Sequence, residues 1–489
     1  MASRTMPVPL NFALPNPSGR RPAAHLVGIG GAGMKALAEL LVSLGWKVGG
    51  SDLRASQTLE RMRRQGLRIF TGHDDSCLPA VLDVLVFSPA VDAGNPERVE
   101  AARRSIPQLS LSEMLGALMA DRAGVAIAGT HGKSTTTAMT ASILRRAGRE
   151  PGAAFGAELC GSGRSGWAGE GDLLVVEGCE YRQSFLSLKP SHAAILNVEP
   201  DHFDCYADLD AVTAAFGQFA SRLPADGVLV ARGDCAASIE AASHSAARTV
   251  TFAIDGPGEY RAADLRVGEW GTRFRVFCRG DYLAELTLRL PGAHNVLNAL
   301  AATALCHELG VVPQDIRDGL WDFRGVRRRL EAVGSWRGRL LIDDYAHHPT
   351  AVRAVLTAIR REYPRRRVWC AFQPHQVSRT IALLPEFAAA LAAADGVLVL
   401  PVYAARETVH SGSAAEEGNR AAFEAATDLA KAIESRGVHS RFLPSLDLLA
   451  DAVDHVTRPG DVFVTMGAGD IDQVHYEFSR RLRRNHAAG

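Results

Sequence analysis

From His25 onward the chain runs in apolar blocks that stop on glycines and restart as helices. HLVGIGGAGMKALAELLVSLGW reads as strand, glycine turn and helix, and WKVGGSD supplies a second strand. The pattern returns at VLDVLVFSPAV and at GVAIAGTHGKSTTTAMTASILRRAG. Such alternation predicts βαβ units and a parallel sheet. The turn at Asp121–Gly124 precedes a new strand-to-helix unit, which places a domain boundary near residue 120. A second group of elements runs to about residue 330. Within it GTRFRVFCRGDYLAELTLRLPG alternates residue by residue and predicts antiparallel strands. A third block opens at GRLLIDDYAHHP and continues through RRVWCAFQP, DGVLVLPVY and GDVFVTMGAGD. The Ala/Glu-rich stretch SAAEEGNRAAFEAATDLAKAIES predicts a solvated helix, and the Pro-rich residues 1–22 read as a loose arm. The expected organisation is therefore an arm (1–22) and three α/β domains (23–120, 121–330 and 331–489).

Composition narrows the function. With 489 residues, 47% hydrophobic and 22% charged, the chain has ordinary globular composition and the length of roughly three domains. Its 54 cationic and 54 anionic side chains cancel, which argues against a nucleic-acid footprint. No apolar stretch of roughly 18 residues occurs, and the first residues carry no signal-peptide pattern. A cytoplasmic protein without a membrane partner is expected. The eight cysteines include no CxxC pair, so they form neither a zinc nor a secreted disulfide framework. Only five of the cations are lysines: Lys35, Lys47, Lys133, Lys189 and Lys431.

Two glycine loops carry the chemistry. Gly28, Gly30 and Gly33 fit GxGxxG between a strand and a helix, with Asp52 at the end of the next strand. In that context the loop approaches a diphosphate and the carboxylate suits a ribose hydroxyl. An NAD(P)-dependent dehydrogenase would need this loop alone. The second loop, Ala128-Gly129-Thr130-His131-Gly132-Lys133-Ser134-Thr135, places Gly-Lys-Ser at another strand-to-helix turn. Backbone N–H groups and the helix N-terminus there cradle phosphates, Lys133 reaches the β/γ oxygens and Ser134 is available to Mg²⁺.

Downstream, Glu177 ends an apolar strand, a usual place for a carboxylate holding nucleotide-bound magnesium. ILNVEPDHFDCY ends the next strand with Asn197, Glu199, Asp201, His202 and Asp204. LPGAHNVLNALAA places His294, Asn295 and Asn298 at a helix start. In FRGVRRRLE, Arg328 or Arg329 suits bidentate binding of phosphate or carboxylate, unless the run is simply a solvated face. IDDYAHHPT stacks Asp343, Asp344, His347 and His348 at a strand end; zinc is the weaker reading of that cluster.

Together GIGGAGM, GSDL, GTHGKSTTT, ILNVEPDHFD, PGAHNVLN, FRGVRRRLE, DDYAHHPT, FQPHQVSRT, PVYAARE and MGAGD, in this order, make the chain resemble the Mur ligases of peptidoglycan synthesis from about His25 to Asp470. Within that family the likeness is strongest to the branch that adds L-alanine to UDP-N-acetylmuramate. The resemblance implies a Rossmann-like N-terminal domain, a central P-loop ATPase-type domain and a Rossmann-like C-terminal domain. The first would hold UDP on Gly28, Gly30, Gly31 and Gly33, with Ser51, Asp52, His73 and Ser88 nearby. The second would bind MgATP on Gly129, Thr130, His131, Gly132, Lys133, Ser134 and Thr135, and the third would close over it with the amino acid. It implies that ATP phosphorylates the muramyl carboxylate and that the amino acid's amine attacks the acyl phosphate. Lys133 would stabilise the transferring phosphate, and Ser134, Glu177 and His294 would serve magnesium. Asn295, Asn298, Arg329 and Asp344 would meet the nucleotide. His347, His348 and Arg379 would position the amino acid and the acyl phosphate, and His202 would lie beside the reacting carboxylate. The protein would act as a monomer or homodimer.

The chain departs from the family in one segment. Glu177-Gly178-Cys179-Glu180-Tyr181 stands where the family usually reads Glu-Ala-Asp-Glu-Ser. Tyr181 is similar to the paralogous ligase that attaches a recycled tripeptide to UDP-N-acetylmuramate, which is the alternative reading. No lysine lies between Lys189 and Lys431, so the carbamylated lysine that bridges magnesium in several relatives cannot form there.

Overall fold

Ala123–Ala128, Val368–Phe372 and Val462–Met466 are apolar runs that become strands buried on both faces. That burial is what a parallel sheet demands, because its crossover helices cover both sides. The computed structural model describes residues 20–268, 271–404, 407 and 413–487. Most of the N-terminal arm and residues 405–406 of PVYAARE lie outside the described residues. Residues 20–22, assigned to the loose arm, are tied down: Arg20 pairs with Asp83 at 2.6 Å and the Pro22 carbonyl accepts from the Lys47 N–H at 2.8 Å.

The strands form three sheets, one for each α/β domain. The first has five parallel strands in the order Arg68–Thr71, Lys47–Asp52, Ala23–Val27, Val84–Phe87, Gln108–Ser110. Its order reverses beside Ala23–Val27, and the Gly28–Gly33 loop leaves the sheet at that crevice, where open α/β sheets bind ligands. In the central sheet Ala123–Ala128 lies between His192–Ile195 and Leu173–Glu177, all parallel. Glu177 and Asn197 therefore flank the second glycine loop. Tyr260–Gly268 adds to this sheet parallel to Arg248–Ile254, and Gly271–Cys278 and Asp281–Leu288 extend it as antiparallel strands. From Thr272 to Val276 their residues alternate buried and exposed, as the sequence predicts. The third sheet runs Glu331–Trp336, Arg339–Asp344, Val462–Met466, Val368–Phe372, Gly396–Val399, His439–Phe442, antiparallel only at its first pair. No described helix is long and apolar enough to cross a membrane.

The helix Ser413–Glu434 corrects one expectation, since from residue 420 on it is solvated on one side only. Ala422, Ala425, Ala426, Leu429, Ala430 and Ile433 are buried against the third sheet. Their i, i+3, i+4 spacing is an amphipathic stripe that small alanines make inconspicuous in the sequence.

The first domain docks on the second through the helix Ala32–Ser43. Glu39 accepts backbone N–H groups from Ser165 (2.7 Å) and Gly166 (3.0 Å). A Cβ on Gly166 would stand 2.0 Å from the Ala36 carbonyl oxygen, so only glycine permits this approach. Lys35 is 6% exposed and pairs with Glu158, which also meets Arg61 at 2.9 Å and Arg327 at 3.3 Å. Glu158→Ala leaves Lys35 with Glu39 alone, at 3.5 Å. The expected loss is about 2–4 kcal/mol, as for a buried pair broken on one side. Glu60→Ala, in an exposed pair with Arg63, should lose under about 1 kcal/mol. Calorimetric unfolding compares the two; equal losses would refute the docking role of Glu158.

Candidate active site

The strand Ala123–Ala128 delivers residues 129–132 to the start of the helix Lys133–Arg146. That helix has no side-chain N-cap and no acidic residue in its first turn, so its N–H groups and positive dipole end are left for an anion. Gly132 turns the chain with φ 85°, and a Cβ there would stand 2.3 Å from Asn298 Oδ1. The adjacent strand end clamps the loop. Asn197 accepts from the His131 N–H (2.8 Å) and donates back to the His131 carbonyl (3.1 Å). Thr130 Oγ1 accepts from the Glu199 N–H at 2.9 Å.

Lys133 Nζ donates to the Gly129 carbonyl (2.6 Å) and to Glu180 Oε1 (3.0 Å), and lies 2.9 Å from Glu180 Oε2. Burial works against both charges, but the Glu180 carboxylate raises the Lys133 pKa and Lys133 holds that of Glu180 down, so both stay ionised. Glu180 also lies 3.6 Å from His202 Nε2. Sequence reasoning gave Glu180 no role. Its signal was an acid placed three residues after Glu177, but only the fold turns it inward. Glu177 accepts from Ser134 Oγ (2.8 Å) and the Gly156 N–H (2.7 Å), and Cys179 beside it is exposed.

The third domain forms the opposite wall of a cavity of about 330 Å³. Asp344 holds the interdomain link, accepting from the N–H groups of Leu330 and Ala346, both at 2.7 Å. Burial pushes its carboxyl up to about 6 against the pull of Arg329. Of the two candidate arginines, Arg328 is occupied by the carbonyls of Gly467 (2.6 Å) and Gly469 (3.0 Å). Arg329 lines the cavity, its guanidinium 5.0 Å from the Tyr345 ring centroid. Arg328 and Leu330 have φ of 57° and 48°. Strain of this kind costs about 1–3 kcal/mol per residue and persists only where neighbours impose it. Here the Asp344 bond and the Tyr345 N–H on the Arg328 carbonyl (2.7 Å) do so.

Arg379 is 2% exposed, and its Nε and Nη2 donate to Asp201 Oδ1 of the central domain at 2.9 and 2.6 Å. Its Nη1 donates to the His375 carbonyl at 3.2 Å, a neighbour sequence reasoning did not assign. Burial, then Arg379, push His347 well below its usual range; burial and His131 push His348 down to about 4. Both imidazoles are neutral. Burial would raise Glu199, but His131 and the Thr350 hydroxyl (2.7 Å) hold it at about 2. His294 is pushed down to about 4 by burial and Arg329, and no bond joins it to Ser134 or Glu177. Asn295 and Asn298 are buried at the cavity edge; Asn295 Nδ2 donates to the Pro291 carbonyl at 2.8 Å.

The first glycine loop lies apart from this cavity. The N–H groups of Gly28 and Ile29 reach the Ser51 carbonyl (2.8 and 3.0 Å), and Gly31 N–H folds back to Gly28. Asp52 accepts the Gly30 N–H at 2.9 Å, so the acid read as a ribose partner also ties the loop. Ser51 is fully buried, and its hydroxyl donates to Glu97 at 2.6 Å. Glu97 also meets His25 (2.5 Å) and His73 (2.8 Å). Ser51 thus stands behind the loop, while His73, Ser88 and Gly33 are half-buried near it.

Three family models match the chain: the Mur ligase family catalytic domain over residues 23–123, the Mur ligase middle domain over 127–306, and the Mur ligase glutamate ligase domain over 328–469. A UDP-N-acetylmuramate–L-alanine ligase of Salinibacter ruber is 40% identical, over 96% of this chain and 96% of that one. The crystal structure of UDP-N-acetylmuramate–alanine ligase from Thermotoga maritima superposes with a TM-score of 0.80 at 28% identity, covering 95% of this chain and 99% of that one. A murein peptide ligase of Psychrobacter arcticus shares the fold at TM-score 0.72 and 24% identity, covering 94% and 98%.

Behind Asp343, His475 is 7% exposed and meets the Thr465 hydroxyl at 2.8 Å; burial pushes it down to about 4 from 6.5. A histidine neutral in the fold binds fewer protons there than when unfolded. Its contribution is complete above pH 6.5 and is lost as pH falls toward 4, by up to about 1.4 kcal/mol per pH unit. His475→Gln, which keeps a hydrogen-bonding side chain, should flatten that slope. Thermal unfolding between pH 7.5 and 4 measures it, and an unchanged slope would refute the assignment.

Proposed function

The chain belongs to the Mur ligase family, and from that membership we propose that it joins the amino group of L-alanine to the carboxylate of UDP-N-acetylmuramate, converting ATP to ADP and phosphate. The observation that carries this reading is one cavity with an anion-ready phosphate loop on one wall and His347 on the other, with His348 and Arg379 behind that wall. ATP lies with its phosphates on residues 129–135 and its adenosine toward Asn295 and Asn298, with Arg329 and Asp344 closing from the third domain. The γ-phosphoryl group passes to the muramyl carboxylate, and Lys133 neutralises charge that spreads over its oxygens. His202, with φ 54° and its ring 5.1 Å from Tyr181, stands beside that carboxylate. The free amine of alanine attacks the acyl carbon, the tetrahedral intermediate expels phosphate, the nitrogen passes its extra proton to that phosphate, and the amide remains. His347 and His348, both neutral, orient the amine and place no like charge beside it. The docked third domain keeps out water, which would hydrolyse the acyl phosphate.

Magnesium fits the hard oxygens of Ser134 and Glu177, 2.8 Å apart at the loop. Bound there it neutralises phosphate charge. His294 joins them by family resemblance. The diphosphate of the UDP substrate belongs on Gly28, Gly30, Gly31 and Gly33, with Asp52, His73 and Ser88 around it and Ser51 as support. The setting is the cytoplasm, where ATP and the nucleotide-linked sugar are available, and the protein acts as a monomer or homodimer.

Tyr181, whose hydroxyl donates to Asp204 at 3.0 Å, keeps the tripeptide ligase as the alternative. ADP release with UDP-N-acetylmuramate and MgATP should depend on L-alanine. Release with L-Ala-γ-D-Glu-diaminopimelate and none with L-alanine would transfer the assignment to the alternative. Lys133→Ala should lower kcat by about 10³-fold or more, the scale of losing one group that meets developing charge. His348→Ala should raise the KM for L-alanine more than that for ATP, and an unchanged alanine KM would remove His348 from amino-acid positioning.

A further inference from the structure

We propose that His131, Glu199 and His348 form a binding site for one zinc-type dication, distinct from the magnesium position at Ser134 and Glu177 and assembled across the interface of the central and third domains. Each of the three residues offers a ligand atom, and these atoms lie within 4.8 Å of one another; among the described residues no other His, Cys, Asp and Glu side chains form such a group. Glu199 Oε2 is 3.5 Å from His131 Nε2 and 3.9 Å from His348 Nδ1, and the two imidazole centroids are 4.9 Å apart.

Zinc bonds of about 2.0–2.2 Å in a tetrahedral arrangement set neighbouring donors about 3.4 Å apart. The Glu199 oxygen is within about half an ångström of that spacing from each imidazole nitrogen, and no two of the three donor atoms exceed it by more than about 1.4 Å. A second observation points the same way. Nε2 of His131, the atom that faces Glu199, is buried and has no hydrogen-bond partner, although buried polar atoms are normally satisfied, and His348 turns Nδ1 to the same carboxylate while accepting the Thr350 N–H at 3.4 Å. His348 is 6% exposed. Glu199 is held in place by the Thr350 hydroxyl at 2.7 Å, the kind of outer contact that orients a metal ligand.

The donor set selects the ion. Two imidazoles and one carboxylate suit zinc and its transition-metal neighbours, with a fourth position open, whereas magnesium prefers oxygen donors in octahedral geometry. His131 belongs to the phosphate loop and His348 to the third domain, so a bound ion ties the two domains together.

The test is equilibrium dialysis of the metal-stripped full-length protein against zinc alone and against zinc with millimolar magnesium. One zinc ion per chain, retained with magnesium present, is expected. Glu199→Gln, which keeps an acceptor for Thr350, should weaken it at least tenfold, and Glu177→Gln should not. Zinc lost to magnesium, or held equally well by Glu199→Gln, would overturn the proposal. Cobalt(II) added to the unmutated protein gives a readout independent of any variant. Intense tetrahedral d–d absorption supports the site, and only the weak spectrum of an octahedral ion would overturn it.

Discussion

Arg379 carries a charge it cannot shed and is 2% exposed, so the third domain can lie against the central domain only where a carboxylate meets that guanidinium. Asp201 supplies it, itself 5% exposed, and Arg379 holds its pKa far below the usual range despite burial. Removing either partner would leave a buried charge alone, which is costly, whereas the intact pair is close to neutral for stability. The pair therefore specifies geometry. It fixes the height at which His347 and His348 face the phosphate loop, and with it the width of the cavity.

The same logic recurs on the other wall. Lys133 is compensated by Glu180, and Glu180 in turn faces His202. Each buried cation of the site thus has a carboxylate partner. When phosphate or carboxylate groups of a substrate approach, these pairs are what the substrate's anions must join or replace. The cavity is held ready by charges already desolvated, so binding does not have to strip water from them. The backbone bears strain at the same places: His202, Gln376, Arg328 and Leu330 all have positive φ, each beside a group that faces the cavity or the domain link. Eight further non-glycine residues with positive φ, Ser105, Asp255 and Arg337 among them, lie elsewhere in the described chain, so what holds these four is the neighbours of each and not a property of the site.

Zero net charge is compatible with this design. In the proposed function, anionic substrates meet a few arginines, one lysine and a helix N-terminus, each local, and not a basic surface. Of five lysines, Lys133 sits in the phosphate loop and Lys35 is buried where the first domain meets the second. A compact ammonium on a flexible stem fits both positions, where several oxygens converge on one point, better than a planar fork would.

The sequence by itself determined the three α/β blocks, the two glycine loops and the strand ends that flank them, because hydrophobic period and glycine turns are local properties of the chain. It marked Lys133, Ser134, Glu177 and Asp344 for the same reason, each standing at a strand or helix end. It misjudged the helix Ser413–Glu434, whose alanine stripe looks polar until a sheet covers it. What only the tertiary structure decided was which charges meet: Glu180 with Lys133, Asp201 with Arg379, Arg328 with the loop carbonyls and not the cavity, Ser51 with Glu97 behind its loop, and Glu199 between two histidines. These partners lie 46 to 178 residues apart where a single separation can be stated. Pairing of this kind depends on distance and burial in three dimensions, quantities that no local pattern of residues encodes.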